Sequence, residues 1–424
     1  MDKLISSATS RRAFLRGGLA AIALPTIIPG AALGAGKQVA ANDRITMGTI
    51  GIGGRGKYVM GAFMQQPDVH MVAVCDVQGN RRKDAKNRVD KHYGNKNCVA
   101  YRDFQELLAR DDIDAVLIAT GDNWHAMASI MAARAGKDIY CEKPMSVTIG
   151  ESRAVAETVR RYARVYQCGT QRRNIGHFVF AIDLARSGRL GKLTAVHAEK
   201  AGSKSGVNFK VLPTEPEPDP EVMDWNGWLG PAPWRPYNRK YYTRGFWSSH
   251  GDFSGGSICE WGSHTVDLCQ WANDADDTVP LQYRTINDKL DVEAVDANGV
   301  KLVIRKGLRF GTCPVRFEGE EGWVETGDSG HIEAHPNSLL EDRKFRGGYP
   351  ADNHVRDFLT CVRTRRQPRS NADVAHRSIT ACHLANISVR LGREITWDPT
   401  GECFLNDPEA DRLRTRAMRQ PWHA

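Results

Sequence analysis

Residues 45–56 read ITMGTIGIGGRG, in which an apolar run passes directly into a turn of closely spaced glycines. The run is typical of a short buried strand, and residues 57–65 after the turn have the pattern of a helix. In such a turn Gly51 permits a tight bend, Gly53 lets the backbone approach a pyrophosphate, and Gly56 allows close packing of helix on strand. The stretch predicts a dinucleotide site formed by Gly51, Ile52, Gly53, Gly54, Arg55 and Gly56.

The segments that follow alternate between strand-like and helix-like patterns. Apolar runs occur at residues 69–75, 114–119, 138–141 and 165–168, and helical patterns occur at 84–93, 104–109, 126–135 and 149–163. This alternation predicts an α/β fold that begins with a doubly wound parallel sheet of the Rossmann type. We assign residues 36–168 to this NAD(P)-binding domain.

The pattern changes after about residue 191. Extended segments at 193–199, 281–286 and 300–304 indicate antiparallel strands, and helical patterns follow at 354–363 and 372–391, before a polar tail from residue 398. Residues 213–236, which are rich in proline and tryptophan, predict a long ordered loop. We assign residues 169–424 to a substrate-binding α/β domain whose last helices return toward the Rossmann domain.

The composition excludes some classes of partner. The formal net charge is +8, but the body of the chain has no dense cluster of lysine and arginine interleaved with aromatic residues. That pattern argues against nucleic acid and favours an anionic or neutral small molecule. The ten cysteines form no C-x-x-C pair, and no histidine or cysteine cluster has a recognisable zinc spacing. We therefore expect buried free thiols and no metal.

Residues 1–35 resemble a twin-arginine export signal. Residues 10–16 read SRRAFLR, and a weakly apolar run and then small residues follow. The run is shorter than the roughly 20 residues that cross a bilayer, and Pro25 and Pro29 interrupt it. We expect a periplasmic or otherwise exported protein with no stable membrane insertion after signal removal. Since that route carries folded proteins, the resemblance also implies a tightly bound cofactor.

Asp76 ends the second predicted strand and bears on the choice of cofactor. An acidic side chain there can accept hydrogen bonds from both hydroxyls of the adenosine ribose, and it repels a 2′-phosphate. The residue therefore favours NAD over NADP. The competing signal is the run Arg81-Arg82-Lys83 just downstream, because cations can neutralise a phosphate.

Two further motifs decide the class of protein. Residues 141–144 read CEKP after a predicted strand, and residues 255–267 read GGSICEWGSHTVD. Together with the glycine turn they resemble the Gfo/Idh/MocA family of glucose-fructose oxidoreductases and inositol dehydrogenases, from about residue 43 to the carboxyl end. The resemblance implies an open, mostly antiparallel sheet in the second domain and assembly into a dimer or tetramer through that sheet. It also implies sugars, cyclitols or their derivatives as substrates.

The resemblance assigns catalysis to Lys143, Glu260 and His264. Oxidation of a secondary alcohol requires a base for the hydroxyl proton, which His264 can supply, and a charged Lys143 would stabilise the developing alkoxide. Glu260 lies one helical turn from His264 and could orient the imidazole, although the family's usual residue here is aspartate. Taken singly, such residues are more often a solvated lysine and a satisfied core histidine.

Other residues are assigned to the ends of the site. Thr120, Trp124 and His125 follow the 114–119 strand, at the edge where ligands of such sheets bind, and Glu142 precedes the lysine of CEKP. We expect Trp124 and His125 to face the nicotinamide half. Aromatic faces pack against the C–H faces of sugar rings, so the tryptophan-rich loop suits a carbohydrate, with plain packing as the alternative. The expected substrate contacts are Lys143, Arg172, Trp228, Tyr237 and Asp267.

Three functions are consistent with these motifs. The first is an NAD(P)-dependent oxidoreductase that transfers hydride to or from a hydroxyl-bearing carbon of a sugar, cyclitol or glycoside and retains its cofactor. The second is a redox-neutral enzyme that uses NAD to cleave a glycoside through a keto-sugar intermediate, or that transfers hydride from sugar to sugar. The third is a non-catalytic dinucleotide-binding protein, against which the intact Lys143 and His264 argue.

Overall fold

The first sheet contains the glycine turn, and its strands are β1 (Ile45–Ile50), β2 (Val69–Cys75), β3 (Val99–Tyr101), β4 (Ala115–Ile118), β5 (Asp138–Cys141) and β6 (Tyr166–Cys168). Each pairing is parallel, and the order is β3-β2-β1-β4-β5-β6. This confirms the predicted Rossmann sheet. The strand order reverses between β1 and β4, which is where ligands of such sheets bind.

The computed structural model describes residues 39–40, 43–202, 205–341 and 352–422. The predicted export signal, residues 1–35, lies outside the described residues. Residues Ile45–Ala424 group as one compact unit. The division that we drew at residue 168 stays a prediction.

The helices that connect the strands of the first sheet are α1 (Gly54–Met64), α2 (Gly79–Tyr93), α3 (Phe104–Leu108), α4 (Asp122–Arg134) and α5 (Ile149–Arg161). Helices α2 and α4 begin at Gly79 and Asp122, before the predicted residues 84 and 126. The prediction for α2 began late because its first turn is polar and carries no apolar period. Strand β3 was not predicted, since it has three residues and two of them are exposed.

Within the described residues the second sheet has nine strands: β7 (Leu193–Glu199), β8 (Gln282–Thr285), β9 (Val292–Val295), β10 (Lys301–Arg305), β11 (Val315–Gly319), β12 (Trp323–Thr326), β13 (Ile332–His335), β14 (Ile395–Asp398) and β15 (Cys403–Phe404). Their order is β13-β12-β11-β7-β10-β9-β8-β14-β15. Strands β7 and β10 pair in parallel, and the other described pairs are antiparallel. The predicted open, mostly antiparallel sheet is confirmed.

The remaining helices are α6 (Gly176–Arg186), α7 (Trp225–Leu229), α8 (Arg244–Trp247), α9 (Gly256–Ala272), α10 (Asp352–Thr364), α11 (Ala372–Leu391) and α12 (Pro408–Asp411), with 3-10 turns at Gln171–Asn174, Arg239–Tyr242, Asn337–Leu340 and Arg412–Arg414. Helix α9 packs on β7 and on α11, and α11 also packs on α5. Helix α9 therefore lies beside the second sheet, and α11 connects it to the first layer of helices.

Two segments are more ordered than their composition suggests. The proline- and tryptophan-rich loop contains α7, which begins where the Asp224 carboxylate accepts a 2.7 Å hydrogen bond from the Gly227 amide. The polar tail contains β15 and α12 before it continues to Trp422. Both segments contribute to the site described below.

The ten cysteines are free, and nine of them are buried, as predicted. In the described part of the chain, no helix is both long enough and apolar enough to cross a bilayer. Over the same residues, no group of three or more histidine, cysteine, aspartate or glutamate side chains could hold a metal ion.

Candidate active site

A cavity of about 930 Å³ lies at the carboxyl ends of β1, β2, β4 and β5 and extends to α9. This volume falls in the range of about 300–1,000 Å³ that is usual for ligand sites. Most of the predicted residues line the cavity: Gly51, Ile52, Gly53, Gly54, Arg55, Asp76, Thr120, Trp124, His125, Glu142, Lys143, Arg172, Trp228, Glu260 and His264. Gly56, Tyr237 and Asp267 do not.

The three glycines of the turn have three different environments. Gly51 has φ +85°, and a Cβ on it would lie 2.6 Å from the backbone of both Ala119 and Thr120. A Cβ on Gly56 would overlap the carbonyl oxygen of Gly51, so this glycine allows close helix packing. Above Gly53 the nearest atom to a Cβ is Nη1 of Arg81, at 3.7 Å, so the backbone is open to the cavity.

The Asp76 carboxylate is held against the glycine turn. Its oxygens accept hydrogen bonds from the Ile52 amide at 2.6 Å and the Gln78 amide at 2.9 Å. Burial raises the pKa of Asp76, and the charge of Arg81, 3.9 Å away, partly offsets this effect. A carboxylate has lone pairs for further donors, such as ribose hydroxyls. Because Arg81 also lines the cavity, the preference for NAD over NADP stays a prediction.

Lys143 joins the Rossmann domain to α9. Its Nζ donates to the backbone oxygen of Glu260 at 2.8 Å and lies 3.4 Å from a Glu260 carboxylate oxygen. Burial would lower the pKa of Lys143, but the carboxylates of Glu260, Asp122 and Glu142 raise it above its ordinary value. Lys143 therefore stays charged and is suited to stabilising an alkoxide.

Asp122, the first residue of α4, is a buried acid that the sequence analysis left without a role. One of its carboxyl oxygens has no hydrogen-bond partner among the described residues. Burial and then the charge of Glu260 raise the pKa of Asp122 well above its ordinary value, and the charge of Lys143 partly offsets this effect. The available signal was an acidic residue directly after β4, at the ligand-binding edge of the sheet.

His264 lies on α9 and faces the same cavity. Burial, followed by the charges of Arg172 and Lys143, lowers its pKa well below its ordinary value. The imidazole is thus neutral at physiological pH and can accept a proton. Its Nδ1 has no hydrogen-bond partner within the described chain. The expectation that Glu260 orients this ring is therefore wrong, because the Glu260 carboxylate turns toward Lys143 instead.

Arg172 is fixed at the substrate end by a residue that was not predicted. Its guanidinium donates to both Asp328 oxygens, at 3.0 and 2.5 Å, and the Thr312 hydroxyl donates to Asp328 at 2.6 Å. Thr312 and Cys313 line the cavity from the segment between β10 and β11, where Cys313 has φ +49°. No local pattern marks Asp328, because it reaches the site through the fold.

Two residues in or just after the tryptophan-rich loop, Trp228 and Tyr237, were predicted to contact substrate. Trp228 lines the cavity. It stacks on the buried Trp225 with ring centroids 5.0 Å apart and an interplanar angle of 8°. The two interpretations of the loop thus apply to different residues, with Trp225 in packing and Trp228 at the cavity wall. Tyr242, Trp247 and Trp261 also line the cavity.

Two predicted substrate contacts are wrong. Tyr237 packs edge-on against Trp225 at 5.4 Å, with its hydroxyl 3.2 Å from that of Tyr242, and it is buried in the aromatic cluster. Asp267 faces the opposite side of α9 and accepts hydrogen bonds from buried Arg173 at 2.8 and 2.9 Å. Asp267 therefore holds α9 against the Gln171–Asn174 turn and stabilises the fold.

The residues predicted for the middle of the site are tied to one another. His125 Nδ1 lies 2.7 Å from the Pro144 carbonyl oxygen, which fixes the ring beside the CEKP segment. Glu142 accepts from Arg55 at 3.0 Å and from Gln171 at 2.9 Å, so it connects the glycine turn to β5. Thr120 lines the cavity where β4 ends.

Trp124 contacts a different end of the cavity from the one expected. It packs edge-on against Phe104 at 5.2 Å and against Trp422 at 4.8 Å, and its indole nitrogen donates to the Gly227 carbonyl at 2.8 Å. Phe104 follows β3, which pairs with β2, the strand directly before Asp76. Trp124 therefore lies on the Asp76 side of the cavity, and the contact of His125 with nicotinamide stays a prediction. Trp422 had no signal in the polar tail.

The residues present fit a nicotinamide dinucleotide. Gly53 leaves open space beside the amino end of α1, where backbone amides and the helix dipole favour phosphate. Asp76 is placed for a ribose at one end, and Lys143 and His264 lie at the other. The cavity thus provides a cofactor half and a reaction half.

Two family models match the chain. Residues 45–170 match the NAD-binding Rossmann fold of the Gfo/Idh/MocA oxidoreductase family, and residues 200–424 match its C-terminal alpha/beta domain. A glycosyl hydrolase family 109 protein from Saccharopolyspora erythraea is 32% identical over 127 residues, which are 29% of this chain and 28% of the relative. An inositol 2-dehydrogenase from Salmonella typhimurium is 28% identical over 144 residues, 34% of this chain and 41% of the relative.

The chain thus spans less than half the length of these curated relatives. Among solved structures, the WlbA dehydrogenase from Chromobacterium violaceum, in complex with NADH and UDP-GlcNAcA, is 17% identical with a TM-score of 0.64. The match covers 86% of this chain and 99% of that one, and at this identity it shows a shared fold. With both domains matched by models of one family, the chain belongs to the Gfo/Idh/MocA oxidoreductases.

Proposed function

We propose that this protein is an NAD(P)-dependent oxidoreductase that acts on a hydroxyl-bearing carbon of a sugar, cyclitol or glycoside. The observation that carries the proposal is the meeting of three motifs in one cavity. The glycine turn at Gly51 and the acid at Asp76 line the cofactor end, whereas Lys143 and His264 lie together at the far end.

The protein side chains have complementary roles in this proposal. His264 is neutral and takes the hydroxyl proton, while Lys143 is charged and stabilises the oxygen as negative charge develops. Glu260 holds the ammonium in place through its backbone oxygen and carboxylate. The nicotinamide ring, when bound, supplies the hydride chemistry.

The aromatic wall supports a carbohydrate substrate. Tyr242, Trp247 and Trp261 line the cavity and offer flat apolar surfaces to the C–H faces of a sugar ring. Trp228 also lines the cavity, next to Trp124, whose indole nitrogen lies 3.2 Å from the Trp228 carbonyl oxygen. Arg172 also lines the cavity, and its positive charge favours acidic substituents on a substrate. The names of the inositol 2-dehydrogenase and glycosyl hydrolase relatives are consistent with this class.

A redox-neutral reaction is the second candidate, and the glycosyl hydrolase relative favours it. In that case His264 and Lys143 would assist oxidation of a sugar hydroxyl to a ketone while its hydride is held by the bound dinucleotide. Elimination would then expel the aglycone as an alcohol, water would add at the anomeric carbon, and the same hydride would return to the keto carbon. Lys143 and His264 serve both reactions, so they do not distinguish them.

We further propose that the protein is exported and retains NAD, with NADP as the alternative. The twin-arginine pattern in residues 1–35 supports export, and an exported enzyme has no soluble pool of dinucleotide to draw on. Asp76 supports NAD through its place at the end of β2. We also propose a homo-oligomer, a dimer or tetramer assembled through the second sheet. Fractionation of cells and light scattering of the purified protein test these two points.

The main experiment is to purify the full chain without added cofactor and to record its near-ultraviolet absorbance before and after addition of a panel of sugars and glycosides. Reduction of a bound dinucleotide by a sugar supports the oxidoreductase. Glycoside cleavage without net reduction supports the redox-neutral candidate. A protein that neither contains nor binds NAD or NADP contradicts both.

A further inference from the structure

The segment that follows α12 returns to the first sheet and forms part of the cofactor cavity. Trp422 lines the cavity and meets Trp124 edge-on, with ring centroids 4.8 Å apart. Trp124 meets Phe104 in the same way at 5.2 Å. Three aromatic rings from distant parts of the chain thus make one continuous wall.

This wall lies on the adenosine side of the cavity. The Asp76 amide donates to the Tyr101 carbonyl at 3.3 Å, which places the end of β3 next to the predicted ribose site. Phe104 begins α3 immediately afterwards and lines the cavity. A dinucleotide whose ribose binds at Asp76 therefore has its adenosine next to Phe104 and the rings that pack on it.

Residues 221–230 cover the same side from the other direction. The Gly79 amide donates to the Val222 carbonyl at 3.1 Å, and the Asp224 amide donates to the Val77 carbonyl at 3.0 Å. This segment therefore runs beside the loop that follows Asp76. It ends at Gly230, where a Cβ would overlap the Trp124 indole.

Arg419 fastens the returning segment to residues 221–230. Its guanidinium donates to the Gly230 carbonyl at 3.1 and 2.9 Å, to the Asn226 side chain at 2.6 Å and to the Asn226 carbonyl at 3.1 Å. Trp422 is fixed in turn by a 2.9 Å hydrogen bond from its amide to the Arg419 carbonyl. Hydrogen bonds from a charged donor are roughly twice as strong as neutral ones.

Arg416 anchors the other end of the segment. It donates to the Glu151 carboxylate on α5 at 2.6 Å and to the Asp252 carbonyl at 2.7 Å. Glu151 is buried, so this contact is shielded from water. The segment is therefore tied both to α5 and to the residues just before α9.

We propose that residues 416–422 form a strap that closes the adenosine side of the cavity and slows the release of the dinucleotide. The inference rests on the proposed NAD(P) binding and adds the device that retains the cofactor. Arg416 and Arg419 hold the strap in place. Trp422 is the residue of the strap that lines the cavity. Release then requires the bonds of Arg419 to break before adenosine leaves.

The test compares release of NADH from full-length protein and from Arg419→Ala and Trp422→Ala. Each protein is loaded with NADH, chased with excess NAD, and followed by the fluorescence anisotropy of NADH. We expect release at least about tenfold faster in both variants, equivalent to about 1.4 kcal/mol in the barrier. Arg412→Ala, an exposed arginine of the same tail, is the matched control and should release NADH at the native rate.

Two further measurements distinguish the loss of the strap from a general loss of structure. Trp422→Phe keeps an aromatic edge and should recover most of the slow release. ADP-ribose, which lacks nicotinamide, should lose affinity in the Ala variants to the same degree as NADH. Native protein that binds neither NADH nor NADPH overturns the proposed function and the strap together. Native protein that binds NADH, with both Ala variants releasing it as slowly as Arg412→Ala, overturns the strap alone.

Discussion

The substitution Gly53→Ala tests whether position 53 requires glycine for folding or for binding the cofactor. Gly53 has φ −69° and ψ −172°, which alanine adopts without strain. The nearest atom to its Cβ would be Nη1 of Arg81 at 3.7 Å, an ordinary contact. Replacing glycine at such a position stabilises a protein by about 0.4–1 kcal/mol, through lower entropy of the unfolded chain. The fold alone therefore gives no reason for glycine here.

The effect of Gly53→Ala on cofactor binding should differ from its effect on stability, because a bound pyrophosphate would approach this turn. The methyl group would occupy the open space above Gly53, where phosphate oxygens reach the amides at the start of α1. We expect the affinity for NADH to fall at least about tenfold, equivalent to about 1.4 kcal/mol, while the protein becomes slightly more stable. Higher stability together with lower affinity for NADH would indicate that Gly53 serves ligand binding and not folding.

Gly51→Ala is the matched control within the same turn. Its φ of +85° costs a residue with a Cβ about 1–2 kcal/mol, and overlap with the backbone of Ala119 and Thr120 adds to this. We expect a clear loss of stability in this variant. The assays are denaturant unfolding without cofactor and fluorescence titration with NADH. Native affinity for NADH in Gly53→Ala would refute our placement of the pyrophosphate.

Three further predictions concern the reaction half and the fold. Lys143→Ala and His264→Ala should bind NADH normally and lose turnover by at least about 100-fold, measured by steady-state kinetics on a sugar that reduces the bound cofactor. Asp267→Ala should lower the free energy of unfolding by about 3 kcal/mol, because it leaves Arg173 buried with only part of its ion pairing, and titration should show unchanged NADH affinity. Burial lowers the pKa of His264, so below about pH 6.5 the unfolded chain binds a proton that the folded chain does not. The free energy of unfolding therefore decreases as the pH is lowered through this range. His264→Gln should reduce the loss of stability between about pH 7.5 and about pH 5.5 by about 1.4 kcal/mol, and an unchanged loss would count against a buried neutral imidazole.

The strands of the first sheet were predictable because burial on both faces makes each one a continuous apolar run between polar turns. Ile45–Ile50 and Val69–Cys75 have the bounds that their patterns predicted. Strand β3 has no such signal, since a three-residue edge strand has little apolar surface to bury. The first turn of α2 looked like a loop because it begins with glycine and polar residues.

The site was predictable where a motif is local and not where the fold assembles it. Lys143 and His264 belong to short motifs, and the cavity brings them together. Asp267 belongs to the same helix as His264, but the helix turns its side chain toward Arg173 rather than the cavity. Asp328 reaches the site through a turn after β12, and its spacing from Arg172 in the sequence carries no information.

The contact between Trp124 and Trp422 has a consequence for biosynthesis. A nascent chain makes the glycine turn early, but the last ring of the adenosine wall is translated only after both sheets. If the proposed strap retains the dinucleotide, a ribosome-bound intermediate would hold it in an unfinished wall and exchange it readily. Secure loading would then begin only when the segment through Trp422 has emerged, and cofactor occupancy would report that synthesis has passed this point.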